Sequence, residues 1–225
     1  MKKQLTSAFT LIELLVVITI IAILAGIALP VYGTIQERGQ QTKALAQAKQ
    51  IGLALRLYAS DNDGSYPGQG TVDPNSTTNA VLPAPGAAAL PFLAAIVPTY
   101  VPDESIFFVA GSKWSTTKPD LDEILETGEN HWAYTAGLRD VSSPRMPLLA
   151  DGFSGTIGTY TDKEGLKGGL WKGKKAVVLR VDQSGTVETL KKDFQVKENI
   201  KTEVGANIFT STALKDAGGK TTNPE

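Results

Sequence analysis

A single carboxylate, Glu13, stands inside an otherwise uncharged apolar run from Phe9 to Leu29. A charge in hydrocarbon costs about 2.5–3.5 kcal/mol at the centre of a spanning helix and less toward its ends. Glu13 therefore needs a partner, and the identity of that partner bears directly on function. The rest of the chain offers little catalytic chemistry. It has one histidine, His131, and no cysteine, so neither a disulfide framework nor a thiolate metal site can form. His131, beside Trp132 in a strand-like run, reads as structural, because no second base or ligand is placed near it in sequence. Asp151, Asp162 and Asp182 lie in Gly-rich turns and could donate oxygens to Ca²⁺, although turn-forming Asp is the commoner explanation. Asp61-Asn-Asp63-Gly64 lacks the further ligands and closing Glu of a calcium loop and reads as a helix end and turn. No metal site or enzyme activity is expected, and calcium is the one cofactor left open.

The element that carries Glu13 is a helix. Phe9 to Leu29 is 21 residues, or about 31 Å at 1.5 Å per residue, which matches a hydrocarbon core of about 30 Å. Lys2 and Lys3 precede it, and the positive-inside bias keeps that leader cytoplasmic, with the remainder outside. Pro30 cannot donate a helical hydrogen bond, and its ring crowds the carbonyl of Gly26, so these two residues predict a kink. Two other readings stand. Gly26-Ile-Ala28 offers a small-residue secretory cleavage site, although the apolar run exceeds the usual 7–15 residues. An uncut transmembrane anchor is the third.

Ser-Ala-Phe-Thr-Leu-Ile-Glu-Leu-Leu-Val-Val, from Ser7 to Val17, resembles the processing and assembly signal of type IV pilins and type II secretion pseudopilins. The resemblance implies that a prepilin peptidase cuts between Ala8 and Phe9 and methylates the new amine. The family nearly always has Gly where this chain has Ala8, so slower cutting is expected. Once cut, the Phe9 amine is largely cationic, with a reference pKa of about 8. In a filament of staggered parallel helices it can pair with Glu13 of another subunit and set the register. Glu13 could instead pair with its own amine four residues away, or snorkel to the interface. The resemblance also suggests that the turn between Gly26 and Pro30 melts on packing; a plain kink is the simpler reading. The implied partners are prepilin peptidase, identical or related subunits, an inner-membrane assembly platform and membrane lipid.

Beyond the membrane half, about 195 residues remain, enough for one domain with a real core. The net charge is −1, and no basic run supports nucleic-acid binding. Leu45, Ala48, Ile51, Leu55 and Tyr58 recur at helical spacing, with Leu53 and Leu57 widening the stripe. Lys43, Gln47, Lys49, Gln50 and Arg56 supply the polar face. Gly64 and Pro67 end the helix. Residues 68–89 form a Gly-, Pro- and Ser-rich surface loop, residues 91–97 a short helix, and residues 100–109 an extended stretch.

Strands are expected at 131–136, 146–151, 175–181 and 186–190. The last two join as a hairpin whose Gly185 suits a positive-φ turn position. The Tyr-Val-Pro from Tyr100, the segment 148–152 and the Val-Asp-Gln-Ser-Gly from Val181 are similar to pseudopilin-like proteins of planctomycetes and verrucomicrobia. Ala110-Gly111 stands where those have Cys-Pro.

The expected fold is α+β and pilin-like: one long N-terminal helix, membrane half plus amphipathic half, packed on a small antiparallel sheet. Trp132, Leu149, Val178 and Leu179 form its core. The divisions are a leader (1–8), an assembly helix (9–29), an amphipathic half (30–63), a head (64–215) and a flexible tail (216–225). The expected function is a filament subunit, first a type II secretion pseudopilin in the inner membrane with its head periplasmic. The alternatives are a type IV pilus subunit for adhesion, motility or DNA uptake, and a monomeric membrane-anchored binding module.

Overall fold

The computed structural model describes residues 10–68, 71, 88–120, 122–197 and 206–225, with backbone alone at Ala28, Pro30 and Val31. The expected leader 1–8 and most of the expected loop 68–89 lie outside the described residues. The chain divides into two compact units, Met1–Gln40 and Gln41–Glu225.

The first unit carries the start of helix α1 (Leu11–Asp61). Its Leu, Ile and Val side chains are exposed throughout, from Leu11 at 81% to Leu29 at 74%. Each such side chain forgoes about 1.5–3 kcal/mol by staying in water, so this surface requires a cover of lipid or of other helices. Among the described residues no single helix is long and apolar enough to cross a membrane. Leu11–Ile27 and Tyr32–Asp61 pass that test together, as a pair bent at the break between them. The break brackets Pro30, the residue that lacks an amide proton.

In the second unit, the part of α1 from Gln41 onward buries Ala44, Ala48, Ile51, Leu55 and Tyr58. Gly64, at φ +77°, returns its N–H to the Ala59 carbonyl at 2.8 Å and closes the helix end. A short helix α2 (Leu90–Ala94) and a 3-10 turn (Glu104–Phe107) follow. Strands β1 (Trp132–Ala136), β2 (Pro147–Asp151), β3 (Lys175–Arg180), β4 (Gly185–Thr189) and β5 (Lys220–Thr222) make one antiparallel sheet in the order β4-β3-β2-β1-β5, with α3 (Thr212–Asp216) just before β5. A long N-terminal helix followed by an antiparallel sheet is the expected α+β pilin-like architecture.

The sheet has two covered faces, because alternate residues point to opposite sides. Trp132, Tyr134, Leu149, Val177 and Leu179 share a core with the α1 residues. Ala133, Ala150, Ala176 and Val178 meet Phe153, Tyr160, Ile208 and Phe209 in a second, smaller core. Val178 therefore lies on the opposite face from the Trp132, Leu149 and Leu179 with which sequence grouping placed it.

Several expectations are corrected. Leu53 (61% exposed) and Leu57 (50%) point away from the buried stripe. Gln47, assigned to the polar face, is buried and donates to the Phe108 carbonyl at 3.0 Å. The stretch 100–109 contains the 3-10 turn, whose start Asp103 caps by accepting from Ser105 N–H. In the β3–β4 turn the positive φ belongs to Gln183 (66°) and not to Gly185. A Cβ on Gly185 would instead meet Leu45 Cδ1 at 2.8 Å, so its value lies in the close approach of α1 to the sheet. The tail expected to be loose forms edge strand β5. Thr135 and Thr221 hydroxyls pair at 2.9 Å, and Asn130 donates to the Pro224 carbonyl at 3.0 Å.

Candidate functional site

Glu13 has a local partner that sequence reading missed. Its Oε2 accepts the Thr10 backbone N–H at 2.8 Å and the Thr10 hydroxyl at 2.7 Å, while Thr10 Oγ1 accepts the Glu13 N–H at 3.3 Å. This is a reciprocal capping box, which satisfies orphan donors at the start of α1. The Thr-x-x-Glu spacing ahead of an apolar run was its legible signal. Both bonds end on Oε2, and among the described residues Oε1 accepts none. Ala8 and Phe9, the expected cleavage pair, lie outside the described residues. Gly26 sits in the helix, and a Cβ there would meet nothing within 4 Å. Its smallness thus answers no contact among the described residues.

His131 has the partners that sequence reading did not place. It is buried with Ser112 and Asp151, its Nδ1 2.7 Å from Ser112 Oγ and its Nε2 2.7 Å from Asp151 Oδ1. Ser112 Oγ also accepts the N–H of Trp114 at 3.0 Å, which leaves its hydroxyl proton to be donated to Nδ1. Nε2 then carries the ring proton and donates it to Asp151. The second Asp151 oxygen accepts from Trp171 Nε1 at 2.7 Å and from Val177 N–H at 2.6 Å. The order serine–histidine–aspartate resembles a nucleophilic triad, but the hydroxyl is enclosed and already engaged. It is a satisfied polar brace across β1, β2 and β3, as the structural reading of His131 holds.

Asp61 closes α1 by accepting the Tyr100 hydroxyl at 2.9 Å. That hydroxyl is pushed up to about 12, by burial first and then by the hydrogen bond to and charge of Asp61. Asp182 accepts the Ser184 N–H at 2.8 Å within its turn. Asp151, Asp162 and Asp182 are not gathered into a cation cluster among the described residues. The acids brought together are Glu104, Asp120 and Asp122, which sequence reading did not single out.

A model of the prokaryotic N-terminal methylation motif matches residues 5–29, the stretch that holds Glu13 and Gly26. The type IV major pilin protein PilA of Myxococcus xanthus is 32% identical over 158 residues, covering 64% of this chain and 66% of that protein. The fimbrial protein EcpC of Eikenella corrodens is 46% identical over 67 residues, 30% of this chain and 43% of that protein. The type II secretion system core protein G of Aeromonas hydrophila is 39% identical over 67 residues, 30% and 46%. The chain thus spans just under two thirds of the first relative and less than half of the others. No solved structure matches.

A long N-terminal helix, an antiparallel sheet and an N-terminal methylation motif define a pilin-like protein. The chain carries the N-terminal signal of the type IV pilin and pseudopilin family and is similar to its members.

Proposed function

We propose that this chain is a structural subunit of a pilus-like filament, cut by prepilin peptidase between Ala8 and Phe9 and assembled through its N-terminal helix. The observation that carries the reading is the uncovered apolar surface of α1 from Leu11 to Leu29, with one carboxylate near its start. Lipid covers that surface before assembly and neighbouring helices cover it afterwards. In the filament, Glu13 keeps its Thr10 cap on Oε2 and offers its other oxygen to the Phe9 amine of a neighbour. A buried pair of this kind contributes register more than net stability. Gly26 leaves space for a neighbouring helix, and the break near Pro30 gives the helix a place to bend. Before assembly the head stands on the extracytoplasmic side of the inner membrane.

Two placements have support. The pseudopilus favoured by the sequence agrees with the match to a secretion-system core protein. The longer match to a major pilin favours a pilus. Glu13→Ala in the native host tests the shared reading. Mass spectrometry should find the variant processed to methylated Phe9, while filaments are lost. Normal filaments from Glu13→Ala, or a native N-terminus other than Phe9, would sink it, a start at Leu29 indicating secretion and Met1 a plain anchor. Surface filaments that shear from cells would select the pilus. Loss of secreted proteins on deletion, without such filaments, would select the pseudopilus.

A further inference from the structure

Glu129 is 3% exposed and ends the turn 126–129, just ahead of β1. Its N–H donates to the Glu126 carbonyl at 3.2 Å, and its Oε2 accepts the Glu126 N–H at 2.8 Å. The turn is thus closed by the carboxylate itself. The His131 N–H donates to the Phe107 carbonyl at 3.0 Å, which ties the end of this turn to the 3-10 turn. Glu104, in that 3-10 turn, is 1% exposed. Its Oε1 accepts the Asp122 N–H at 3.1 Å, and its Oε2 has no hydrogen-bond partner among the described residues. The charges that act on Glu129 are all negative. Burial first, and then the charges of Glu104, Asp120 and Glu126, push its carboxyl above the usual range, against the Glu126 N–H. The neighbouring His131 ring is taken up by Ser112 and Asp151. Among the described residues no lysine or arginine is ion-paired with Glu104, Asp120, Glu126 or Glu129. Two buried carboxylates thus act on each other with no counterion from the chain, an arrangement that is costly while both are ionised.

We propose that Glu129 is a proton-operated clasp, whose protonation relieves its repulsion by Glu104 and tightens the head as the surrounding medium acidifies. Burial and like charge both favour the neutral form. The fold therefore keeps a proton on Glu129 at a pH where the unfolded chain, near the ordinary glutamate value of about 4.3, has lost it. A group that holds its proton more tightly when folded adds stability as pH falls from the raised value to the ordinary one. That stability is lost again as pH rises. Other displaced carboxyls do not mimic this. Glu188, despite its burial, is held below the usual range by Arg180 and Thr186, and Asp193 by Lys197, so both stay ionised through the window. Gln47 fastens the 3-10 turn to α1 through the carbonyls of Ser105 and Phe108. Proton uptake at Glu129 thus firms the hold of the head on its own helix.

The test is thermal unfolding of the full chain in a nonionic detergent and metal-free buffer, for the parent and for Glu129→Gln. Gln keeps an oxygen for the Glu126 N–H but carries no charge. Relative to the parent, the variant should gain at least about 2 °C in melting temperature between about pH 4.5 and about pH 7.5, since only the parent ionises over that range. A difference that stays constant with pH, or that moves the other way, would overturn the proposal. A second readout does not depend on the stability of a variant. The ¹³C resonance of the Glu129 carboxyl, assigned by its absence in Glu129→Gln, should titrate above the ordinary glutamate range, and its midpoint should fall in Glu104→Gln. A midpoint within or below that range, or one indifferent to Glu104, would equally sink it. Filament assembly enters neither measurement, so the clasp stands or falls apart from the proposed function.

Discussion

At the residue scale, Asp151 anchors the head. Its two oxygens receive three donors, from His131, Trp171 and the Val177 backbone, and none of them is open to water. Truncation to Ala leaves all three unsatisfied in a low-dielectric interior. Asp151→Ala should therefore cost about 3–5 kcal/mol, read as a large fall in melting temperature of the full chain in detergent. Asp151→Asn keeps an acceptor for Trp171 and Val177 and can donate to a His131 of the other tautomer. It should cost less, about 1–2 kcal/mol, and equal losses from the two changes would contradict the network described. Sequence made His131 a structural residue because it stood alone. The conclusion holds although His131 does not stand alone in the fold, where Ser112 and Asp151 reach it from 19 and 20 residues away.

At the scale of elements, α1 and the sheet meet through glycine. Gly52 is buried on the helix, where a Cβ would collide with Leu179 Cδ2, a side chain that is itself fully enclosed in the core. Gly52→Val should destabilise the head by about 1–3 kcal/mol through overpacking, seen as a lower denaturation midpoint. An unchanged midpoint would mean that α1 does not lie this close. Periodicity was enough to find α1 and its buried stripe. It did not separate that stripe from Leu53 and Leu57, because an apolar residue a half-turn off the stripe looks the same in a sequence window. Strand β5 was illegible for a different reason. Three residues, Lys220–Thr222, hold no pattern of their own, and they become a strand only because the free edge of β1 pairs with them.

For the whole molecule, the division falls at Gln40. Every buried apolar residue of the two cores is at or beyond Ala44. A chain lacking residues 1–40 should therefore fold and stay soluble without detergent, with a cooperative melt close to that of the full chain. A molten or aggregated product would show that the N-terminal unit contributes to the core. The sequence by itself determined the character of the N-terminal segment. A 21-residue apolar run, its lone carboxylate and its methylation motif are local features, and membrane-length helices are specified by local composition. The α+β class, the helix and four of the five strands were also legible, because each has its own period. The second core behind the sheet, the brace at His131, the last strand and the gathering of Glu104, Asp120 and Asp122 were decided only by tertiary structure. Each depends on residues distant in sequence becoming neighbours, and no local pattern encodes that meeting.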